Sequence, residues 1–307
     1  MAIPTNNFTT YDSIGNREDL INIITNISPV DTWFTSKIGN TKATSRFHEW
    51  QTDSLASPAA NAHIEGDTIT ATAITPTTRT GCYTQILQKS FMVTNTQDVV
   101  DKAGRDTDTA YQLQKNMKEL AMDIEYALLL NPSCVSGDTA TARQLKGVLG
   151  YIATNVYTGT ASGNTNPVTK TNITSVLQSM YTSGAKPQYM LCGGVQKSKI
   201  SDMTTSNTKF VNAPEKTVVD SVDVYDTDFG RLAIHLSHIL DGTSNATKGM
   251  VMIFGDMNLW QKAWLRPIEK RSLPIASFSN FYAIEAELTL EARQEAGSGI
   301  LKNLTIT

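Results

Sequence analysis

Residues 22–39 read NIITNISPVDTWFTSKIG, an apolar stretch near the front of an otherwise polar chain, and the fold turns on what buries it. Asn16 can cap a helix ahead of it, and Glu18 and Asp19 place negative charge in the first turn. Leu20, Ile21, Ile24 and Ile27 then recur at helical spacing until Ser28-Pro29 ends the run. Pro29 opens a second turn that carries Trp33, Phe34 and Ile38 before Gly39 stops it. The residues in front, with Asn6, Asn7, Thr9 and Thr10, hold too few apolar side chains to fold alone, so an ordered arm there needs something to lie against.

Beyond the arm the period changes to two. From Ser45 to about Val93 the pattern is that of strands: TITATAI (68–74) puts Thr on one face and Ile or Ala on the other, and TQILQKSFMV (84–93) reads as a better-buried strand. ASPAANAHIEGD (56–67) between them has the composition of an exposed loop tip. The expectation is a long hairpin with little apolar content, and such a hairpin is marginal in water by itself.

Residues 106–130 form the clearest helix. Asp106 or Thr107 can cap it, Leu113, Met117, Leu120, Ile124 and Leu128 make one stripe, and Asn131-Pro132 ends it. At 1.5 Å per residue it is about 37 Å long, a structural spine. After a loop-rich stretch over 133–170, NITSVLQSMYTSG reads as helix, PQYMLCGG as buried strand and VQKSKISDM as helix, with further strands in VDVYDTDFGRLAIHLSHIL and KGMVMIFGD. In YAIEAELTLEA (282–292) the apolar residues share one parity and Glu285, Glu287 and Glu291 the other, which predicts one buried and one wet face. Gly297-Ser298-Gly299 turns the chain so that ILKNLTI can pair back as a C-terminal hairpin.

Twenty-six Lys and Arg against 29 Asp and Glu leave a net charge of -3, which offers no basic footprint for gripping a phosphate backbone. Charged residues are only 18% of the chain, so its surface carries little like-charge repulsion and tolerates packing against copies of itself. The first residues lack the basic and apolar regions of a signal peptide, and no run of the sequence reaches the length needed to span a bilayer. Cys82, Cys134 and Cys192 are scattered without C-x-x-C spacing and read as buried reduced thiols of a cytoplasmic protein.

Chemistry is hard to place. His48-Glu49 with His63 and Glu65 is the candidate metal cluster, but the spacing matches no metal motif and ordinary hydrogen-bonding roles are favoured. His235 and His238 are three apart, which on a strand sends the rings to opposite faces. Asp228-Phe229-Gly230 stands without the other kinase motifs, Gly193-Gly194 without a phosphate-loop pattern, and no G-x-S-x-G occurs. No catalytic residue, metal or cofactor is expected.

The run Glu18-Asp19-Leu20 to Ile27-Ser28-Pro29-Val30-Asp31-Thr32, followed by Phe34, Ile38-Gly39, His48-Glu49-Trp50 and Asp53-Ser54-Leu55, resembles the start of the major head proteins of tailed bacteriophages. Tyr111-Gln112-Leu113 to Asp123-Ile124-Glu125 is similar to that family's spine helix, and Asp228-Phe229-Gly230, Leu265-Arg266-Pro267 and Glu287-Leu288-Thr289-Leu290 match its later landmarks. The resemblance covers nearly the whole chain. It implies an α+β, Hong Kong 97-type capsid fold: an N-terminal arm (1–44), an extended β-hairpin loop (45–78), a peripheral domain with the spine helix (79–139), an α/β axial domain (140–255) and return strands of the peripheral domain (256–307).

The function implied by the resemblance is that of a major capsid protein, self-assembling through pentamers and hexamers into an icosahedral or prolate head around double-stranded DNA. The enclosed DNA is expected to be held by weak non-specific contact only. Further expectations are a separate scaffold protein, because no cleavable leader is apparent, together with portal and possible decoration proteins. No Lys–Asn crosslink maps onto any residue, and there is no membrane partner. Assembly is placed in the host cytoplasm and the product in the virion. Ile24, Ile27, Trp33, Phe34, His48, Trp50, His63 and Glu65 are the expected inter-subunit contacts. An encapsulin-like compartment shell uses the same fold and is the alternative; a metal-dependent hydrolase built on His48, His63 and Glu65 is a third reading.

Overall fold

The computed structural model describes residues 32–69, 71, 73–158, 166–203, 223–241, 250–274 and 277–305, so the helix expected before Pro29, with Ile24 and Ile27, lies outside the described residues. The described chain begins with helix α1 (Trp33–Lys37) and strand β1 (Gly39–Lys42), followed by β2 (Phe47–Thr52), β3 (Thr78–Tyr83), β4 (Gln85–Thr94) and the short helix α2 (Asn95–Val99). The long helix α3 (Asp108–Leu130) leads to α4 (Val148–Tyr151), β5 (Asn155–Tyr157), α5 (Lys170–Thr182), β6 (Tyr189–Cys192) and α6 (Gly194–Met203). Strands β7 (Val224–Thr227), β8 (Gly230–Leu236), β9 (Met252–Gly255), β10 (Trp260–Leu273), β11 (Ser279–Ala292) and β12 (Gly299–Leu301) complete the order.

Helix α3 starts where the Thr107 hydroxyl accepts the Ala110 N–H at 3.3 Å and stops at Asn131, ahead of Pro132. Its buried stripe runs through Leu120, Ile124, Ala127 and Leu128. Met117, expected on that stripe, is 47% exposed. Asn116 takes the inward place, its amide satisfied by the Gln112 carbonyl at 2.8 Å.

A four-stranded sheet in the order β1-β10-β11-β4 packs against this helix, with β1 running parallel to β10. The β10–β11 hairpin shifts register between Trp264 and Arg266 and again between Arg266 and Glu269. Pro267 lies in that interval, and having no N–H to give the ladder it is accommodated at such an irregularity. A six-stranded mixed sheet has the order β5-β12-β9-β6-β8-β7. On β6 and β9, Tyr189, Leu191 and Ile253 face the core shared with α3, while Met190, Cys192, Met252 and Phe254 face a second core with α5. Burial on both faces explains why YMLC and MIFG are apolar without alternation.

Four sequence expectations are corrected. Residues 68–74 form no strand where they are described: the β2–β3 ribbon pairs only from Phe47↔Tyr83 to Thr52↔Thr78. Period-two patterning builds a strand only if a partner and a face to cover exist, and Ile69 and Ile74 are 96% and 94% exposed. The C-terminus does not fold back on β11; β12 instead joins the six-stranded sheet between β5 and β9. The acidic face of β11 is not wet, since Glu287 and Glu291 are 4% and 8% exposed. Finally, Cys82 and Cys134 are not scattered: the fold brings them together as a disulfide pair, and only Cys192 is free among the described residues; a separation of 52 residues in sequence is closed by the packing of β3 beside the segment after α3.

Candidate assembly surfaces

The arm is fastened by a carboxylate inside the spine helix. Glu125 on α3 is 1% exposed and accepts the N–H groups of Phe34 at 2.9 Å and Thr35 at 2.6 Å, together with the Thr35 hydroxyl. Those N–H groups belong to the first turn of α1, where no intrahelical acceptor exists. Thr32 in the cap position makes no side-chain cap bond, so Glu125 caps α1 from a distant part of the chain. Lys262 on β10, 8% exposed, donates to the Thr35 carbonyl. Burial pulls its pKa down and the neighbouring Glu125 charge opposes that pull.

Phe34, expected at a neighbour's surface, is instead fully buried in the chain's own core, 6.4 Å between ring centroids from Trp260. Trp33 stacks on His235 at 3.9 Å and lies 5.6 Å from Tyr189, so it joins the arm to the six-stranded sheet. Apolar residues after a helical run announce burial, but the sequence does not say against which chain.

The root of the ribbon covers the acidic face of β11. Glu287 accepts from the Thr84 hydroxyl at 2.7 Å, Arg143 at 2.8 Å and Arg266 Nε at 3.0 Å. Burial opposes its ionisation, but the hydrogen bonds from Thr84 and Arg266 and the charges of Arg143 and Arg266 outweigh it and hold the carboxyl below its ordinary value of 4.5. Glu291 pairs with His48 at 3.2 Å and Arg293 at 3.1 Å. Trp50 lies 5.9 Å from the Tyr151 ring. His48 and Trp50, also expected at neighbours, are thus engaged within their own chain. None of Glu125, Arg143 or Glu287 is singled out by the sequence as a site residue; the available signal is a carboxylate on or beside an apolar stripe.

His63 and Glu65 sit where they are expected, on the exposed loop between β2 and β3, with His63 hydrogen-bonded to Asn61 at 2.8 Å and Asp67 at 3.1 Å. They do not meet His48: among the described residues no group of three or more His, Cys, Asp or Glu could hold a metal ion, and no helix is long and apolar enough to cross a membrane. The loop's apolar side chains are bare, with Leu55, Ile64, Ile69 and Ile74 between 85% and 99% exposed. A second bare group, Met92, Val99, Val100 and Phe278, lies where the end of β4 and α2 meets the β10–β11 turn, and Asn95 N–H donates to the Phe278 carbonyl at 3.2 Å.

A profile of the family described as SU10 major capsid protein matches residues 3–305. The major capsid protein of Escherichia phage Phieco32 is 38% identical over 130 residues, which cover 42% of this chain and 37% of that relative; the match therefore spans little more than a third of the relative's length. Among solved structures, the Cyanophage A-1(L) capsid asymmetric unit superposes with a TM-score of 0.68 at 10% identity, covering 97% of this chain and 98% of that one. The encapsulin of the holo-SrpI complex from Synechococcus elongatus PCC 7942 superposes with a TM-score of 0.58 at 10% identity, covering 95% and 93%.

Proposed function

This chain belongs to the SU10 major capsid protein family and has the Hong Kong 97-type capsid fold, and from that premise we propose that copies of it close through pentamers and hexamers into the head of a tailed bacteriophage around double-stranded DNA. The observation that carries the assembly reading is the loop between β2 and β3. It exposes Leu55, Ile64, Ile69 and Ile74 almost completely, and burying one such side chain is worth about 1.5–3 kcal/mol. A neighbouring copy is the surface available in large excess in a closed shell. The loop, with His63 and Glu65, is proposed to lie on that neighbour, and Met92, Val99, Val100 and Phe278 form an apolar group suited to receive it. Ile24 and Ile27 of the arm are proposed to contact a neighbour as well.

The division of labour proposed is an arm over 1–44, an extended loop over 45–78, a peripheral domain over 79–139 and 256–307, and an axial domain over 140–255, with β12 of the last segment paired into the six-stranded sheet. The role is structural, with no catalysis assigned. Scaffold, portal and decoration proteins are the proposed partners, assembly is placed in the host cytoplasm, and DNA contact is weak, as the net charge of -3 suggests. The test is electron microscopy and native mass measurement of the purified chain beside an Ile64→Asp/Ile69→Asp variant. Shells from the parent and soluble subunits of unchanged melting behaviour from the variant are expected. Shells of parental heat resistance from the variant would remove the loop from the interface. An encapsulin-type shell shares this fold; particles that hold a protein cargo and no DNA would favour it, whereas the family match favours the phage head.

A further inference from the structure

Cys82 and Cys134 lie far apart along the chain and meet only in the fold. Cys82 is fully buried on β3, opposite His48 in the ribbon, whereas Cys134 comes after α3 and is half-buried. Their Cα atoms are 5.8 Å apart, a separation that a disulfide spans without backbone movement. Each sulfur also faces a backbone donor: Lys146 N–H lies 3.3 Å from Cys82 Sγ and Tyr83 N–H 3.2 Å from Cys134 Sγ. The thiolate is the form that attacks a disulfide. Cys192 is as buried as Cys82, but it has no disulfide partner, and burial pushes its pKa up to about 12.

We propose that Cys82 and Cys134 form a redox lock, a dithiol while the chain is held in a reducing compartment and a disulfide once it meets an oxidising one, which in the closed state fixes the root of the β2–β3 ribbon to the segment after α3. The oxidant is a small-molecule disulfide. The more accessible Cys134 thiolate attacks one of its sulfurs and displaces one thiolate; Cys82 thiolate then attacks the Cys134 sulfur and displaces the second. Two protein thiols lose two protons and two electrons, and the oxidant takes them up and leaves as two thiols. The same loop that carries Cys134 carries Arg143, whose guanidinium closes over Glu287, so the lock also holds the cover of the acidic face in place. Its timing rests on the capsid reading, because a particle leaves the reducing cytoplasm when the host cell opens; the chemistry of the pair does not.

The test uses the full chain expressed in a reducing cytoplasm, quenched in acid with an alkylating agent, and then exposed to oxidised glutathione. Alkylation of both Cys82 and Cys134 at the quench is expected, and a disulfide-linked peptide after oxidation. The melting midpoint should rise by about 6 °C on oxidation and fall back with reductant, and Cys134→Ser should show neither change. The unmutated chain with and without reductant supplies the comparison even if a variant folds poorly. A disulfide already present at the quench, none after glutathione, or one that leaves the midpoint where it was overturns the lock. Failure of the capsid reading shows separately, as the absence of particles by electron microscopy from a chain whose thiols still respond.

Discussion

Replacing Glu125 by Ala is the most searching perturbation of how the arm is held. The change removes the acceptor of the Phe34 and Thr35 N–H groups and of the Thr35 hydroxyl, and leaves Lys262, 8% exposed, without its neighbouring anion. Each buried donor left unsatisfied costs about 1–3 kcal/mol, so the two backbone groups together cost about 2–6 kcal/mol. Loss of the Glu125 charge beside the part-buried Lys262 acts in the same direction. The range for the two donors centres near about 4 kcal/mol. With an unfolding entropy of about 2.1 cal/mol/K per residue over 307 residues, the melting midpoint should fall by about 6 °C. Calorimetry reads the midpoint, and trypsin reads the arm, since Lys37 is exposed and sits at the end of α1. Glu125→Met combined with Lys262→Met should recover only the part of the loss that comes from the uncompensated Lys262 charge, because the Phe34 and Thr35 N–H groups still lack an acceptor. A Glu125→Ala protein that melts within about 1 °C of the parent, with Lys37 still protected, would refute the clamp.

Three further outcomes are expected from the same geometry. Phe34→Ala should cost about 3–5 kcal/mol in the unassembled chain, and Trp33→Ala less, because its ring is only partly covered; equal losses in urea unfolding would contradict their placement. Glu287 has a folded pKa held below the ordinary 4.5, so its contribution is complete above that value and is lost as pH falls through the folded one. The parent's melting midpoint should therefore drop more steeply in acid than that of Glu287→Gln, and parallel curves would sink this account. Gly147→Ala would bring a methyl group within 2.9 Å of the Ala127 and Leu128 carbonyl oxygens and the Asn131 nitrogen; a loss of about 1–3 kcal/mol is expected, and an unchanged midpoint would show room at the end of α3.

Short-range periodicity and turn chemistry are what a reading of the residues alone could recover here. The spine helix from its Thr107 cap to Asn131-Pro132, the helix-strand-helix run of α5, β6 and α6, and the bare polar tip around His63 and Glu65 all depend on residues a few positions apart, whose preferences hold wherever the chain goes. The order of soft landmarks along the chain also carried the capsid family. Which surfaces meet was settled only by the folded arrangement. The charged parity of β11 looks wet in sequence, yet Arg143 and Thr84 arrive from other elements to bury Glu287. Phe34 looks like a contact for a neighbour until Glu125 is seen to fasten α1 over its own core. Cys82 and Cys134 look unrelated until two segments 52 residues apart are packed together. Each of these depends on pairings between distant parts of the chain, and a hydropathy pattern records that a side chain is to be covered without recording by what.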